Sequence, residues 1–121
     1  MSSTVEQIHD VTVLMCADDG DVISGERDVM DYIGDAFYQE AQWVVIPAGR
    51  LDEAFFRLRT RIAGDIVQKF VNYRLGMAVV GDISRHTEAS SSLRDFVHEC
   101  NQGRQTWFLS DMEELRKRLS T

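Results

Sequence analysis

Apolar positions along the chain change period several times, and each change marks an element. Residues 11–16, VTVLMC, form a β-rich run that reads as a strand. Asp18, Asp19, Gly20 and Asp21 follow it, then a short second run ending at Ser24. That order predicts a hairpin turning on the acidic, glycine-containing loop. From Glu26 the period becomes helical: Val29, Met30, Ile33 and Phe37 share one face, with Asp28, Asp31, Asp35 and Gln39 on the other. Ser24 is the expected N-cap of this helix.

The run WVVIPAGRL, closed by Pro47 and Gly49, suits a strand covered on both faces. Phe55, Leu58, Ile62, Ile66, Phe70 and Tyr73 then recur every three or four residues. They predict a short turn over 52–56 and a main helix from about Thr60 to Tyr73, with both one helix and two helices open for the whole segment. GMAVVGD, between Gly76 and Gly81, reads as another buried strand. Leu93, Phe96, Val97 and Cys100 mark a third helix with Gly103 at its C-cap, and TWFL is the last strand. In SDMEELRKRL, Ser110 and Glu113 fit a capping box ahead of an apolar stripe at Met112, Leu115 and Leu119.

The resulting order, β-β-α-β-α-β-α-β-α, predicts an α/β fold: a single domain with a mostly parallel sheet and an N-terminal antiparallel hairpin. The domain is expected over 11–121, behind a frayed leader at 1–10. A length of 121 residues, 44% hydrophobic and 27% charged with one proline, fits that single core. The longest apolar run, WVVI, is far below the roughly 20 residues that cross a bilayer, and the first ten residues lack the parts of a secretory signal. The expected location is therefore the cytoplasm, with no membrane partner. Cys16 and Cys100 form no CxxC pair and are expected to be reduced.

A net charge of −7 makes nucleic acid an unlikely partner, because affinity for phosphate backbones rests on clustered Lys and Arg. One local basic cluster stands against that trend: RLRTR, with Arg57, Arg59 and Arg61. Ligand sites of open α/β sheets lie at the strand carboxyl ends, which points to AGRLDEAFF, GDISRHTEASSS and SDME. Within the second segment Asp82, Ser84 and His86 include a carboxylate, a nucleophile and a base, but local spacing shows neither convergence nor an oxyanion hole. The loop is better read as a turn that delivers a helix cap, from Ser90, Ser91 or Ser92, with Ser92 and Asp95 in S-x-x-D form. The aspartates at 18–21 do not follow the calcium-loop spacing, no zinc spacing occurs, and neither GxxxxGK[ST] nor GxGxxG is present. No cofactor or metal is assigned. Thr60, between Arg59 and Arg61, reads as an N-cap, with a phosphoacceptor as the second reading.

The segment LDEAFFRLRTRIAGDIVQKFVNYRLGMAVVGDIS, followed by SLRDFVHECNQGR and FLSDMEE, resembles the bacterial family known as domain of unknown function 4180, over nearly the whole chain from about Val11. That resemblance implies kinship and no established chemistry. More remotely the order of elements is similar to the STAS fold, in which a Ser or Thr begins the helix after a central strand. Thr60 would be its counterpart, although the surrounding Arg59-Thr60-Arg61-Ile62 departs from the Asp-Ser-x-Gly type of run.

The function expected is a non-catalytic binding or regulatory module that acts on an unidentified protein partner, with a homodimer as an option. Asp52, Glu53, Phe55, Phe56, Arg59 and Thr60 are the expected contact surface, with one of the adjacent phenylalanines exposed as its anchor. The alternative is a small-ligand binder or enzyme at the same strand ends, with Asp52, Asp82 and Arg104 around a pocket beside Ser84.

Overall fold

A computed structural model describes residues 3–120. Five strands, β1 (Ser3–Ile8), β2 (Val11–Cys16), β3 (Trp43–Pro47), β4 (Gly76–Val80) and β5 (Thr106–Leu109), form one sheet in chain order. β1 and β2 are antiparallel, and every later pair is parallel. The helices are α1 (Met30–Tyr38), α2 (Ile62–Asn72), α3 (Ser84–Ala89), α4 (Ser91–Gln102) and α5 (Met112–Leu119). The α/β class and the mixed sheet are thus as the hydrophobic pattern predicts. Among the described residues no helix is long and apolar enough to cross a membrane.

The hairpin is not the one expected. Residues 3–8 of the supposed leader are β1, and Met1 and Ser2 of that leader lie outside the described residues. The reversal is His9-Asp10, both left-handed at φ 49° and 70°, with Ile8 opposite Val11. A two-residue loop with both positions at positive φ matches the strand twist, and here it forms without the usual Asn-Gly. The acidic loop instead leads from β2 toward α1, and Ile23 makes only an isolated parallel bridge to Leu51. Ser24 does not cap the helix with its side chain: its N–H and hydroxyl donate to Asp28 Oδ2 at 2.8 and 3.2 Å.

Because β2 to β5 advance in one direction, crossovers of one hand must all fall on one face of the sheet. Accordingly Leu14, Val44, Ile46, Met77, Val79 and Phe108 pack against α1, α2 and α4. The alternate residues Val13, Trp43, Val45, Ala78, Trp107 and Leu109 face the other way, where Leu115 and Leu119 of α5 cover them. On that face Trp43 and Trp107 stack at 4.2 Å. Space for them comes from the intervening strand, which carries Gly76 and Ala78 in register with Trp43 and Trp107. A Cβ at Gly76 would fall on the Trp43 ring, so the small residue is sterically required.

Helix caps differ from expectation in detail. Asp111, not Ser110, caps α5 by accepting the Glu114 N–H at 3.0 Å, and Ser110 N–H donates back to Glu114 Oε1 at 3.1 Å. The box is shifted by one residue. Ser90 caps α4 through the Leu93 N–H at 3.2 Å, so Ser92 and Asp95 form no box. Both cysteines are free, as expected.

Candidate functional site

The strand carboxyl ends are shaped by two segments. After β3, Asp52 Oδ1 accepts the Ala54 N–H at 2.8 Å and starts a 3-10 turn over Glu53–Phe56. A second 3-10 turn, Leu58–Thr60, follows, and left-handed Arg61 at φ 67° turns the chain into α2. The segment from 52 to 73 is therefore two turns and one helix. The Thr60 hydroxyl knots them together: it lies 2.7 Å from the Ala54 carbonyl and 2.8 Å from that of Arg57, as donor, and accepts the Ile62 N–H at 3.3 Å. Thr60 is therefore not the N-cap expected of it: Arg61 holds that position without a side-chain cap, and the Thr60 hydroxyl instead ties the turns to the first residue of α2. A phosphoryl group at this oxygen would replace the donor with further acceptors facing two carbonyls.

After β4, Gly81 takes φ 143° and lies against Ala48, a conformation and a closeness that a side chain would not permit. Asp82 Oδ1 then accepts the Ser84 N–H at 2.9 Å. The expected turn is thereby a six-residue helix, α3, with no buried residue of its own. It is held from outside: the His86 ring stacks on Phe56 at 4.1 Å with planes 8° apart, and Arg85 Nη1 meets Glu53 Oε1 at 2.8 Å.

That covering corrects the proposed anchor. Phe55 and Phe56 are both buried, at 0% and 5% exposure, because the 3-10 turn directs both into the core and α3 closes over the second. Between the two segments lies an open cleft of about 920 Å³. Glu53, Arg57, Arg59, Thr60, Arg85 and His86 are among its lining residues, together with Ser90 and Ser92 from the start of α4. Of the nine residues predicted for the site, Glu53, Phe56, Arg59 and Thr60 converge here.

The other expected polar groups do not. Asp52 and Asp82 are spent on starting a turn and a helix. Arg104 precedes β5, at the amino ends of the parallel strands, where its guanidinium lies 5.2 Å from the Trp107 ring. A pocket built from Asp52, Asp82 and Arg104 is therefore not assembled. Ser84 is exposed and heads α3. Hydrogen bonding from the Ser84 backbone, then its side chain, holds the Asp82 carboxyl below its ordinary value, the opposite of a general acid.

Within the cleft the potential is positive. The Arg85 hydrogen bond, followed by the charges of Arg85, Arg57 and His86, keeps the Glu53 carboxyl below its ordinary value. The His86 imidazole is also lowered, first by burial, then by Arg85 and Arg57, with Glu53 opposing. The unfolded chain therefore takes up this proton first, so this residue's contribution is undiminished above pH 6.5 and stability declines as pH falls below it. A pH titration of His86 followed by NMR is expected to give a midpoint below 6.5. Arg57→Gln should move that midpoint upward; an unmoved midpoint would show that the arginine's field does not reach the ring.

Sequence reasoning missed Arg50, which is 5% exposed and lies between the acidic loop and Tyr32 of α1. Its guanidinium donates to the carbonyls of Ala17 (2.7 Å) and Asp21 (2.9 Å) and to the Tyr32 hydroxyl (2.9 Å), and Gly20 packs on its plane. It binds the acidic loop to the turn after β3. A second cavity, of about 570 Å³, opens on the α5 side between Met15, Val45, Val80 and Met112, with Ser3, Thr4 and Asp18 at its polar edge. Cys16 borders it, but burial pushes this thiol up to about 12 in spite of the Arg50 charge, so it is no nucleophile at neutral pH.

Comparison with known proteins adds a family. A family model described as "Domain of unknown function (DUF4180)" matches residues 8–119. No curated protein and no solved structure matches the chain.

Proposed function

The chain belongs to the DUF4180 family, whose description carries no activity, and from the site itself we propose a non-catalytic binding module that engages an acidic segment of a protein partner. One observation supports this reading above the rest: Arg57, Arg59 and Arg85 line one cleft with a single carboxylate, Glu53, in a chain of net charge −7. Arginines at that density favour carboxylate or phosphoryl groups through paired N–H donors. Arg57 and Arg59 make no ion pair among the described residues, so their donors face the cleft's occupant or water. A protein partner fits better than nucleic acid, because three arginines against so acidic a background give a weak field beyond the Debye length. The STAS-like order of elements favours a regulatory role, carried out in the cytoplasm. The 570 Å³ cavity supports a second reading, a small amphipathic ligand held at the carboxyl ends of β2, β3 and β4.

The test is affinity capture with wild type beside a folded Arg57→Glu, Arg59→Glu variant, followed by calorimetry with the purified captured protein. Binding is expected to weaken by about 30-fold or more in the variant and to fall with added salt. Equal binding by both forms would overturn the cleft as the contact surface. Co-purification of a small molecule lost on Val45→Trp, with the arginine variant unaffected, would establish the second reading instead.

A further inference from the structure

The apolar stripes of α1 and α2 run past the sheet they cover. Phe37 is in helical line with Ile33, and Tyr73 with Phe70, yet they are 53% and 39% exposed. Their rings meet edge to face at 5.7 Å, and the same two helices also expose Tyr38 (85%) and Val71 (40%).

The two helix ends that carry this patch are near copies. In α1, Glu40 N–H donates to Phe37 O at 3.1 Å and Ala41 N–H to Ala36 O at 2.7 Å. In α2, Arg74 N–H donates to Val71 O at 3.0 Å and Leu75 N–H to Phe70 O at 3.0 Å. This paired stop needs a left-handed residue, usually glycine or asparagine. Here the positions hold Glu40 (φ 57°) and Arg74 (φ 58°), of opposite charge. Neither has an ion-pair partner among the described residues.

We propose that this face is the contact between two copies of the chain, related by a two-fold axis through the aromatic patch. Glu40 of each copy then meets Arg74 of the other. An isologous contact must contain both halves of every pair it makes, and this surface does. Asp35 of α1 already accepts the Ser3 hydroxyl at 3.3 Å and Lys69 of α2 already lies 3.8 Å from Glu26, so Glu40 and Arg74 are the charges beside the patch that a second copy can pair. Tyrosine, phenylalanine and arginine are also the residues that anchor contact centres. The face lies at the carboxyl end of α2, away from the cleft at its start, so association leaves both clefts open.

Sedimentation equilibrium of the full chain over a wide concentration range tests the proposal. Wild type should dimerise reversibly, and Tyr38→Asp, at a side chain too exposed to support the fold, should weaken association by about 30-fold or more. Glu40→Arg should weaken it by about tenfold, and adding Arg74→Glu should restore it to within about threefold, since the cross-pair is then rebuilt with its charges exchanged. A chain that stays monomeric throughout, a dimer indifferent to Tyr38→Asp, or a double variant no better than Glu40→Arg would each overturn the proposal. Circular dichroism of each variant confirms that the fold is retained.

Discussion

Trp107→Ala is expected to lower the folding free energy by about 3–5 kcal/mol, the range for emptying a large aromatic site in a core that relaxes only partly. The indole is 1% exposed, stacks on Trp43 at 4.2 Å and donates its N–H to the Gly103 carbonyl at 2.7 Å. Arg118 lies 5.1 Å from the ring centre, adding a cation over the π face. Collapse into the space is resisted, because Gly76 has no side chain and the Ala78 methyl is too short to fill it. Trp107→Phe keeps part of the stack and loses the hydrogen bond, at a cost of about 1–3 kcal/mol. Urea unfolding followed by circular dichroism measures both. A Trp107→Ala loss below about 1 kcal/mol would mean that α5 closes the gap by moving onto the sheet.

Arg50→Met is the second large effect, expected at about 2–4 kcal/mol. The substitution keeps much of the apolar stem and removes the donors to two main-chain carbonyls and the Tyr32 hydroxyl. Desolvating a guanidinium is itself costly, which offsets part of what these bonds contribute. The unpaired acceptors set the balance, since the Tyr32 hydroxyl is buried and the two carbonyls are partly so, and acceptors shielded from water without partners are penalised more than the bonds are worth net. Arg50→Lys should fare little better, because a single ammonium cannot reach acceptors that diverge around a planar fork. Amide hydrogen exchange gives the sharper check: faster exchange should be confined to the 17–23 loop and the 3-10 turns after β3. An unchanged unfolding midpoint in Arg50→Met would show that water replaces the guanidinium.

Much of the fold is legible in the sequence wherever burial on both sides or a full helical stripe writes the pattern. WVVIP, GMAVV and TWFL became β3, β4 and β5, and Leu93, Phe96, Val97 and Cys100 set the inner face of α4. The edge strand β1 left no such record. Its residues STVEQI bury only Ile8 fully, and the left-handed His9-Asp10 is not one of the glycine-containing pairs that mark a two-residue turn. Helix α3 is silent for a related reason: Ser84–Ala89 has no apolar stripe, and it is held by the Asp82 carboxylate on the Ser84 N–H, the Phe56 ring and Glu53. Four residues named from the sequence, Glu53, Phe56, Arg59 and Thr60, line one cleft, but its α3 wall left no pattern to read. Arg50 was beyond reach, because its burial arises when Ala17, Asp21 and Tyr32 close on it from a different part of the chain.

The strictly sequential strand order has a consequence for biosynthesis. Each parallel strand from β3 to β5 pairs with the one synthesised before it, so the sheet can grow along one edge as the polypeptide leaves the ribosome, with short loop closures at every step. The side bearing α1, α2 and α4 is sealed along the way. The opposite side, with its two indoles, stays open to water until α5 emerges, which makes the interval between β5 and α5 the moment when a nascent chain most exposes sticky surface to chaperones and to its neighbours.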